Sequence, residues 1–276
     1  MFLTQFQRLN AILGYRTLKT TSSQKLDKQL IADSFKASAA TYEESATVQK
    51  DIGRQLINFL HSHEAINYSR ILEIGCCTGI LTELLVGIKE INTIYLNDIV
   101  HEFCTITGAR IAKRVGQVEG LPGDIEQLAL PGNLDLVVSS ATLQWMSDLP
   151  ALFNKIHGAL REEGYLVFSI FGPGTMSEIS TLTGRSLPYH SREELTEMLH
   201  DHFRIISLQS ETRRIYFPTV RAVLQHIRQT GVGGIGRSKW MPGKFKEFEK
   251  QYNSRFASEL GLSVTYASTF VVAKKK

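Results

Sequence analysis

The chain has 276 residues, of which 43% are hydrophobic, and a formal net charge of +4 at pH 7. This composition predicts one large core, or one core with an inserted cap. The basic residues are scattered and the apolar runs are short, so we expect neither a nucleic-acid surface nor a membrane span. Three cysteines, two of them adjacent, give no disulfide framework and no zinc spacing. A cytoplasmic protein without a bound metal is therefore expected.

The N-terminal segment is treated separately from the fold. Before Asp27 it carries Arg8, Arg16 and Lys19 and no acidic residue. A transit peptide, an over-long translation start and a frayed extension all fit this composition. We predict that residues 1–29 form a disordered extension and that residues 30–276 form the folded domain.

Predicted strands and helices alternate through the first two thirds of the domain. Helical spacing of apolar residues predicts helices at 52–61, 78–86, 101–113 and 149–160. Strands are predicted at 70–74 and 93–97, around residue 117, and at 134–139 and 165–170. Near-continuous apolar strands between amphipathic helices indicate a mostly parallel sheet with helices on both faces. Ligands of such a sheet bind at the carboxyl ends of its strands.

The pattern changes after residue 170. Glycines and a proline interrupt the chain at 172–174, and Ser191 with Glu194 forms a capping box for a helix through residue 199. Two further strands are predicted at 203–217 and 262–273, with insertion or cap segments near 172–200 and 218–260. The predicted fold class is therefore α/β, a Rossmann-like seven-stranded, mostly parallel sheet with an inserted, mainly helical cap.

The most informative segment is the turn after the first predicted strand. It runs from Glu73 to Gly79 with the sequence E-I-G-C-C-T-G. Glycines such as Gly75 let the backbone approach a ligand, and the following helix presents unpaired amides. Asp98 follows at the end of the second strand, where an acid can bind ribose hydroxyls. The alternative is an ordinary strand-to-helix turn.

Details of this turn favour one adenosine cofactor. A dinucleotide site needs G-x-G-x-x-G to admit a pyrophosphate, but Cys77 stands at the middle glycine position and no basic residue is near. Glu73 would repel phosphates and would suit a cation or an ammonium group. S-adenosylmethionine carries both a sulfonium and an ammonium, so the turn predicts it as the cofactor.

Two later segments complete the predicted site. Asp124 and Ile125 follow the third strand, where the carboxylate can accept from the adenine amine and the apolar side chain can pack on the base. The alternative for Asp124 is an Asx-turn or a helix cap. Ser140 and Trp145 follow the fourth strand, at the sheet edge where a methyl group would be delivered. The alternative for Trp145 is packing in the core.

These segments together resemble the malonyl-[acyl-carrier protein] O-methyltransferases of biotin synthesis, within the class I S-adenosylmethionine methyltransferases. The resemblance covers roughly residues 30–274, and Cys77 departs from the glycine that is usual there. The matching segments are Ser34-Phe35, 40–43, 46–49, 73–79, 123–126, Leu143-Gln144-Trp145, 174–178, 227–231 and Thr265-Tyr266.

The resemblance implies methyl transfer from S-adenosylmethionine to the free carboxylate of malonyl, held as a thioester on acyl carrier protein. The resulting ester primes pimeloyl synthesis for biotin. Malonyl-coenzyme A stays open as a second acceptor. A malonyl carboxylate is ionised near pH 7, so it can attack without an acid or base residue, and the enzyme's task is alignment.

The resemblance also implies roles for residues outside the turn. Gln49 is expected to bind the cofactor, and Tyr42, Gln144, Trp145 and Arg228 are expected to bind the substrate. Arginine suits the bidentate capture of a carboxylate. The position of Arg228 within the motif favours it over the other candidate arginines, although a solvated surface role is the alternative for each. Those other candidates are Arg185, Arg213, Arg214 and Arg221.

Other functions stay open at this point. The same fold can methylate another small carboxylate, or a quinone or phenol, which would call for a positioned base and a larger apolar cavity. A nicotinamide-dependent oxidoreductase would need the glycine pattern that is missing here. A catalytically silent protein could keep the cofactor fold, because fold alone does not settle function.

Overall fold

The structure is a computed structural model that describes residues 26–63, 68–88, 90–231 and 242–276. Its helices are α1 (Lys28–Ser45), α2 (Thr47–His61), α3 (Ile80–Val86), α4 (His101–Ile111), α5 (Leu149–Ala159), α6 (Ser177–Thr183), α7 (Arg192–His200), α8 (Val220–Gln229) and α9 (Pro242–Phe256). Its strands are β1 (Arg70–Ile74), β2 (Thr93–Asp98), β3 (Gln117–Pro122), β4 (Leu134–Ser140), β5 (Leu160–Phe171), β6 (Phe203–Phe217), β7 (Ala257–Ser258) and β8 (Gly261–Lys275).

The strands form one mixed sheet in the order β3-β2-β1-β4-β5-β8-β6. Strands β1 to β5 pair in parallel, and β8 lies antiparallel between β5 and β6. The two-residue strand β7 pairs only with β8 and brings the described sheet to eight strands, one more than predicted. The predicted α/β class with a mostly parallel sheet is confirmed. No helix in the described ranges has the length and apolarity needed to span a membrane.

Alternation along the strands separates two hydrophobic layers. Ile71 of β1 packs in the layer that holds α2, α3 and α4. Its neighbours Leu72 and Ile74 pack in the other layer, with α5 and α7. Because successive strand residues point to opposite faces, both faces of the sheet are covered by helices.

Strands β6 and β8 continue past the carboxyl end of β5. Phe171, the last residue of β5, pairs with Ser268, which in turn pairs with Glu211. Residues 212–217 and 262–267 therefore form a two-stranded extension beyond this edge of the sheet. Helices α6, α8 and α9 contact the extension. They fall within the predicted cap segments 172–200 and 218–260, although residues 232–241 lie outside the described residues.

A buried acid fastens α6 to this extension. Glu178 is 3% exposed, and its carboxylate accepts from Ser263 Oγ at 3.0 Å, Thr265 Oγ1 at 2.7 Å and Thr265 N at 3.0 Å. Three donors offset the cost of burying the carboxylate, so the acid positions the helix.

Helix α1 was not predicted, and it joins the cap to the sheet. It begins at Lys28, just before the predicted domain start at residue 30, whereas residues 1–25 of the predicted extension lie outside the described residues. The helix binds the end of α8 through Ser34 Oγ, which donates to Gly231 O at 3.0 Å, and through Thr41 Oγ1, which donates to Gln229 O at 3.4 Å.

Two other predicted boundaries also shift. The helix predicted at 52–61 begins at Thr47, and the strand predicted at 165–170 begins at Leu160. The missed starts, 47–51 and 160–164, are mainly polar, although each contains one buried apolar residue, Val48 and Leu160.

The junction between α1 and α8 depends on a glycine. Gly231 has φ +71°, and a Cβ there would lie 2.5 Å from Phe35 Cδ1 and 3.0 Å from Ser38 Oγ. We expect Gly231→Ala to lower the free energy of unfolding by about 1 to 3 kcal/mol in denaturant titrations, because strain and a clash combine. The matched control is Gly158→Ala on an exposed position of α5, where a Cβ meets no atom within 4 Å. Equal losses in both variants would contradict this account.

Candidate active site

A cleft lies at the carboxyl ends of the parallel strands. The loops after β1, β2, β3 and β4 form one side of it, and α1 forms the other. Its lining comprises Lys28, Ile31, Phe35, Tyr42, Ile74, Gly75, Cys77, Asn97, Asp98, Ile99, Gly123, Asp124, Ile125, Ser140, Ala141, Thr142, Trp145 and Met146. The cleft is thus at the edge where ligands of open parallel sheets bind.

The turn after β1 has the tight geometry expected from its glycines. Gly75 has φ +76° and Gly79 has φ +95°, both in the left-handed region. A Cβ at residue 75 would lie 2.2 Å from Thr142 Oγ1, so only glycine lets the loop after β4 approach this closely. Gly79 is the N-cap of α3, which begins at Ile80. Of this pair, Gly75 lines the cleft.

The backbone conformation at Cys77 is one that favours glycine. Its φ is +46°, which costs a residue with a Cβ about 1 kcal/mol or more. The backbone is held there by a hydrogen bond from Cys77 N to Asp98 Oδ2 at 2.9 Å. Ala141, across the cleft, is also left-handed with φ +49°. Backbone strain of this kind is concentrated at ligand sites.

Asp98 lies in the cleft with acceptor capacity to spare. Its second oxygen accepts from Val100 N at 2.8 Å, and the residue is 7% exposed. Burial raises the pKa of Asp98 to about 6, against the opposing effect of the backbone N–H donors. The group is therefore mostly ionised at neutral pH, and each oxygen retains a lone pair for a ligand hydroxyl.

Glu73 is not brought to the cleft. It is 1% exposed and accepts from Thr82 Oγ1 of α3 at 2.7 Å. Strand alternation places its side chain on the face of Ile71, away from the cleft residue Ile74. Burial raises the pKa of Glu73 to about 8. The raised pKa favours the protonated carboxyl group at neutral pH, and the role of Glu73 toward a cation or an ammonium group stays a prediction.

Asp124 and Ile125 both line the cleft as predicted. Asp124 Oδ1 accepts from Glu126 N at 3.1 Å, so the Asx-turn considered as the alternative is also present. Lys28 of α1 lies 3.3 Å from this oxygen and 2.6 Å from Glu126 Oε2. Ile125 is 2% exposed and can present its side chain to a flat ring.

Three aromatic side chains, which we call the aromatic wall, cover the cleft from the side of α1. They are Phe35, Tyr42 and Trp145. The ring of Phe35 meets Trp145 edge-to-face at 5.8 Å and Tyr42 at 6.4 Å. Burial is the main cause that raises the pKa of Tyr42, with the adjacent Cys77 thiol next. Trp145 Nε1 is buried and has no hydrogen-bond partner among the described residues.

Besides Glu73 and Gly79, three predicted residues do not line the cleft. Gln144 is committed to the backbone, since its Nε2 donates to Ala141 O at 2.6 Å and its Oε1 accepts from Phe171 N at 3.5 Å. It therefore holds the loop after β4. Gln49 is buried on α2, and its Oε1 has no partner among the described residues. Arg228 is exposed on α8 and makes no ion pair with a described residue.

Sequence reasoning missed several residues of the cleft, chiefly Lys28, Phe35, Asn97 and Thr142. Asn97 carried a usable signal, because it is a polar residue that ends an apolar strand directly before Asp98. Phe35 lies in a segment that matches the family but was assigned no role, and Lys28 carried no signal, because no helix had been predicted there. Thr142 carried no signal either, because its closeness to Gly75 arises only in the folded chain.

The buried Glu73 gives a pH-dependent stability. Its pKa in the folded chain is about 8, above the ordinary value of 4.5. In the pH window between these two values, the folded chain therefore holds a proton that the unfolded chain has released. The free energy of unfolding should fall as pH rises through it, by at most about 1.4 kcal/mol per pH unit. Glu73→Gln should remove this component in denaturant titrations across the window. Glu259→Gln, at an exposed residue, is the control, and equal slopes in wild type and Glu73→Gln would contradict the assignment.

Comparison with solved structures agrees with the architecture. A putative methyltransferase from Bacillus halodurans superposes with TM-score 0.59 over 79% of this chain and 97% of its own, at 13% identity. A phosphoethanolamine N-methyltransferase from Haemonchus contortus, in complex with S-adenosylhomocysteine, gives TM-score 0.51 over 80% of this chain and 52% of its own, at 19% identity. These likenesses establish a Rossmann-like methyltransferase fold.

Sequence comparison identifies the family. Residues 72–168 match the family model described as a methyltransferase domain. A malonyl-[acyl-carrier protein] O-methyltransferase from Chlorobium phaeovibrioides is 37% identical, over 91% of this chain and 97% of its own length. Its namesake from Bacteroides thetaiotaomicron is 32% identical, over 91% and 99%. The chain belongs to the malonyl-[acyl-carrier protein] O-methyltransferase family.

Proposed function

We propose that this protein transfers the methyl group of S-adenosylmethionine to the free carboxylate of a malonyl thioester on acyl carrier protein. The observation that carries the proposal is one cleft that combines the glycine turn, Asp98, and Asp124 with Ile125, beneath the aromatic wall. In a member of this family, that combination fits an adenosine cofactor with an acceptor beside it.

The residues of the cleft fit S-adenosylmethionine better than a dinucleotide. Gly75 keeps a side chain out of the turn, Asp98 can accept from ribose hydroxyls, and Asp124 with Ile125 can take the adenine. Among the described lining residues Lys28 is the one cationic side chain, and it is paired with two carboxylates, so no cation is available for a pyrophosphate. Ser140 lines the same cleft, and Gln49 stays a predicted cofactor contact.

The proposed reaction requires little proton transfer by the protein. When bound, S-adenosylmethionine supplies an electrophilic methyl group on sulfur. The malonyl carboxylate is ionised near pH 7 and needs no base. We expect the aromatic wall to exclude water from the carboxylate and to limit the directions from which the acceptor can approach. Alignment and partial desolvation are thus the contributions that the described residues can make.

We assign Arg228 to the carrier protein rather than to the malonyl carboxylate. Arg221 and Arg228 are both exposed and lie two turns apart on the same side of α8. The Arg221 guanidinium lies 5.7 Å from the centre of the Phe245 ring of α9. The end of α8 is bonded to α1, which lines the cleft. An acidic carrier protein that docks on this face would deliver its prosthetic arm near the cleft.

The proposal is tested with purified protein, S-adenosylmethionine labelled in the methyl group, and malonyl- or acetyl-acyl carrier protein. Mass analysis of the acyl group should find a methyl ester on malonyl only. Cofactor binding without transfer to malonyl would exclude this acceptor, and transfer to both acyl groups would exclude the carboxylate as the methylated group.

Asp98 should contribute to cofactor affinity. We expect Asp98→Ala to weaken binding of S-adenosylmethionine by about 1 to 3 kcal/mol, because hydrogen bonds to the ribose hydroxyls are lost. Isothermal titration calorimetry measures the change, and circular dichroism of the same sample controls for loss of the fold. Unaltered affinity in a folded variant would refute the role.

Arg228 should affect the carrier-protein substrate selectively. We expect Arg228→Ala to raise the KM for malonyl-acyl carrier protein several-fold, and this difference should shrink at high salt, because a surface charge acts mainly through long-range attraction. The KM for malonyl-pantetheine should stay unchanged. Arg204→Ala, an exposed arginine at the opposite end of β6, is the matched control. Equal effects of the two substitutions would contradict docking on α8.

A further inference from the structure

We propose that the indole N–H of Trp145, a neutral donor, holds the malonyl carboxylate, and that none of the described arginines does. This inference rests on the proposed function and deepens it by naming the group that recognises the acceptor. It departs from the expectation of bidentate capture by Arg228.

The indole N–H of Trp145 lacks a hydrogen-bond acceptor in the part of the chain that the structure describes. Trp145 is 5% exposed and lines the cleft, and its Nε1 is buried without a partner among the described residues. A buried N–H without an acceptor is destabilising, and native proteins usually provide one. In this case a bound molecule would provide it. Indole nitrogen only donates, so the molecule must present an oxygen acceptor and not an ammonium or a sulfonium.

The position of Trp145 also supports the assignment. Trp145 lies in the 3₁₀ turn Leu143–Trp145 after β4, and its ring packs edge-to-face on Phe35 of α1. Phe35 also contacts Tyr42, so the indole belongs to the aromatic wall. The glycine turn, the ribose acceptor and the adenine contacts proposed for the cofactor come instead from the loops after β1, β2 and β3. An acceptor held by Trp145 would therefore lie between the cofactor site and α1.

The charges around the cleft favour a neutral donor as well. The cation that lines the cleft, Lys28, is within 3.3 Å of Asp124 and 2.6 Å of Glu126, so its charge is already matched. Arg228 is exposed on α8 outside the lining. A hydrogen bond from a neutral N–H to a carboxylate is charge-assisted and gives orientation. It withdraws less electron density than a guanidinium ion pair, so the free oxygen stays a better nucleophile.

The same contact would separate substrate from other acyl groups. An acetyl thioester has no carboxylate to accept from Nε1, so the N–H would stay unpaired, which disfavours that complex. The methyl ester product has lost its charge and accepts more weakly. Binding would consequently be strongest for the molecule that is to be methylated.

The experiment replaces Trp145 with 3-benzothienylalanine, an isostere with sulfur in place of the N–H, by site-specific incorporation. Trp145→Phe serves as a second variant. Calorimetry with S-adenosylhomocysteine present measures the affinity for malonyl-pantetheine, and kinetics measure the KM for malonyl-acyl carrier protein. We expect both to weaken by about tenfold to a hundredfold, the range for a hydrogen bond to a charged group. The Kd for S-adenosylmethionine should not change, and Arg228→Ala should leave malonyl-pantetheine binding intact.

Three outcomes would overturn the assignment. Equal weakening of S-adenosylmethionine would place the N–H on the cofactor. Unchanged malonyl-pantetheine binding in the isostere would show that the N–H makes no contact with the acceptor. Loss of that binding in Arg228→Ala would return the carboxylate to an arginine. Failure of the wild-type protein to methylate malonyl-acyl carrier protein would instead refute the proposed function, so the two failures are distinguishable.

Discussion

The rest of the cleft depends on Asn97, at the end of β2. Its carbonyl accepts from Gly75 N at 2.8 Å and Cys76 N at 2.9 Å, which fixes the turn after β1. Its side-chain amide donates to Leu121 O at 2.7 Å and Gly123 O at 3.0 Å, which fixes the loop after β3. One buried residue therefore ties together loops from three neighbouring strands. Because each bond is shielded from water, the tie is stronger than the same bonds would be at the surface.

Asp98 extends this tie and connects backbone geometry with charge. It holds Cys77 in a left-handed conformation by accepting from Cys77 N. It also accepts from Val100 N, directly before α4 begins. Burial works against its ionisation, whereas the backbone donors work for it. The neighbouring Glu73 has only Thr82 as a donor, and its pKa is raised further. Two acids near the same turn thus differ in protonation at neutral pH because their numbers of donors differ.

Sequence reasoning predicted the parts of the fold that repeat a regular pattern. The apolar strands were identified because parallel strands are buried on both faces, and Asp98 was identified because it follows such a strand. Helix α1 gave little pattern, since its buried residues are Ile31, Ser38 and Tyr42, one of which is polar. The face on which Glu73 lies could not be predicted, because proximity in sequence does not specify the face of a strand. Arg228 shows the same limit, because a motif position does not tell whether a side chain points inward.

The extension of β6 and β8 has an evolutionary consequence. The cap helices contact residues 212–217 and 262–267, whereas the loops that form the cleft belong to β1 through β4. Mutations in the cap can accumulate without disturbing the backbone bonds of Asn97. The surface proposed to dock the carrier protein is thus free to diverge while the cleft is retained, and α1, which contacts both regions, is where compensating substitutions should appear.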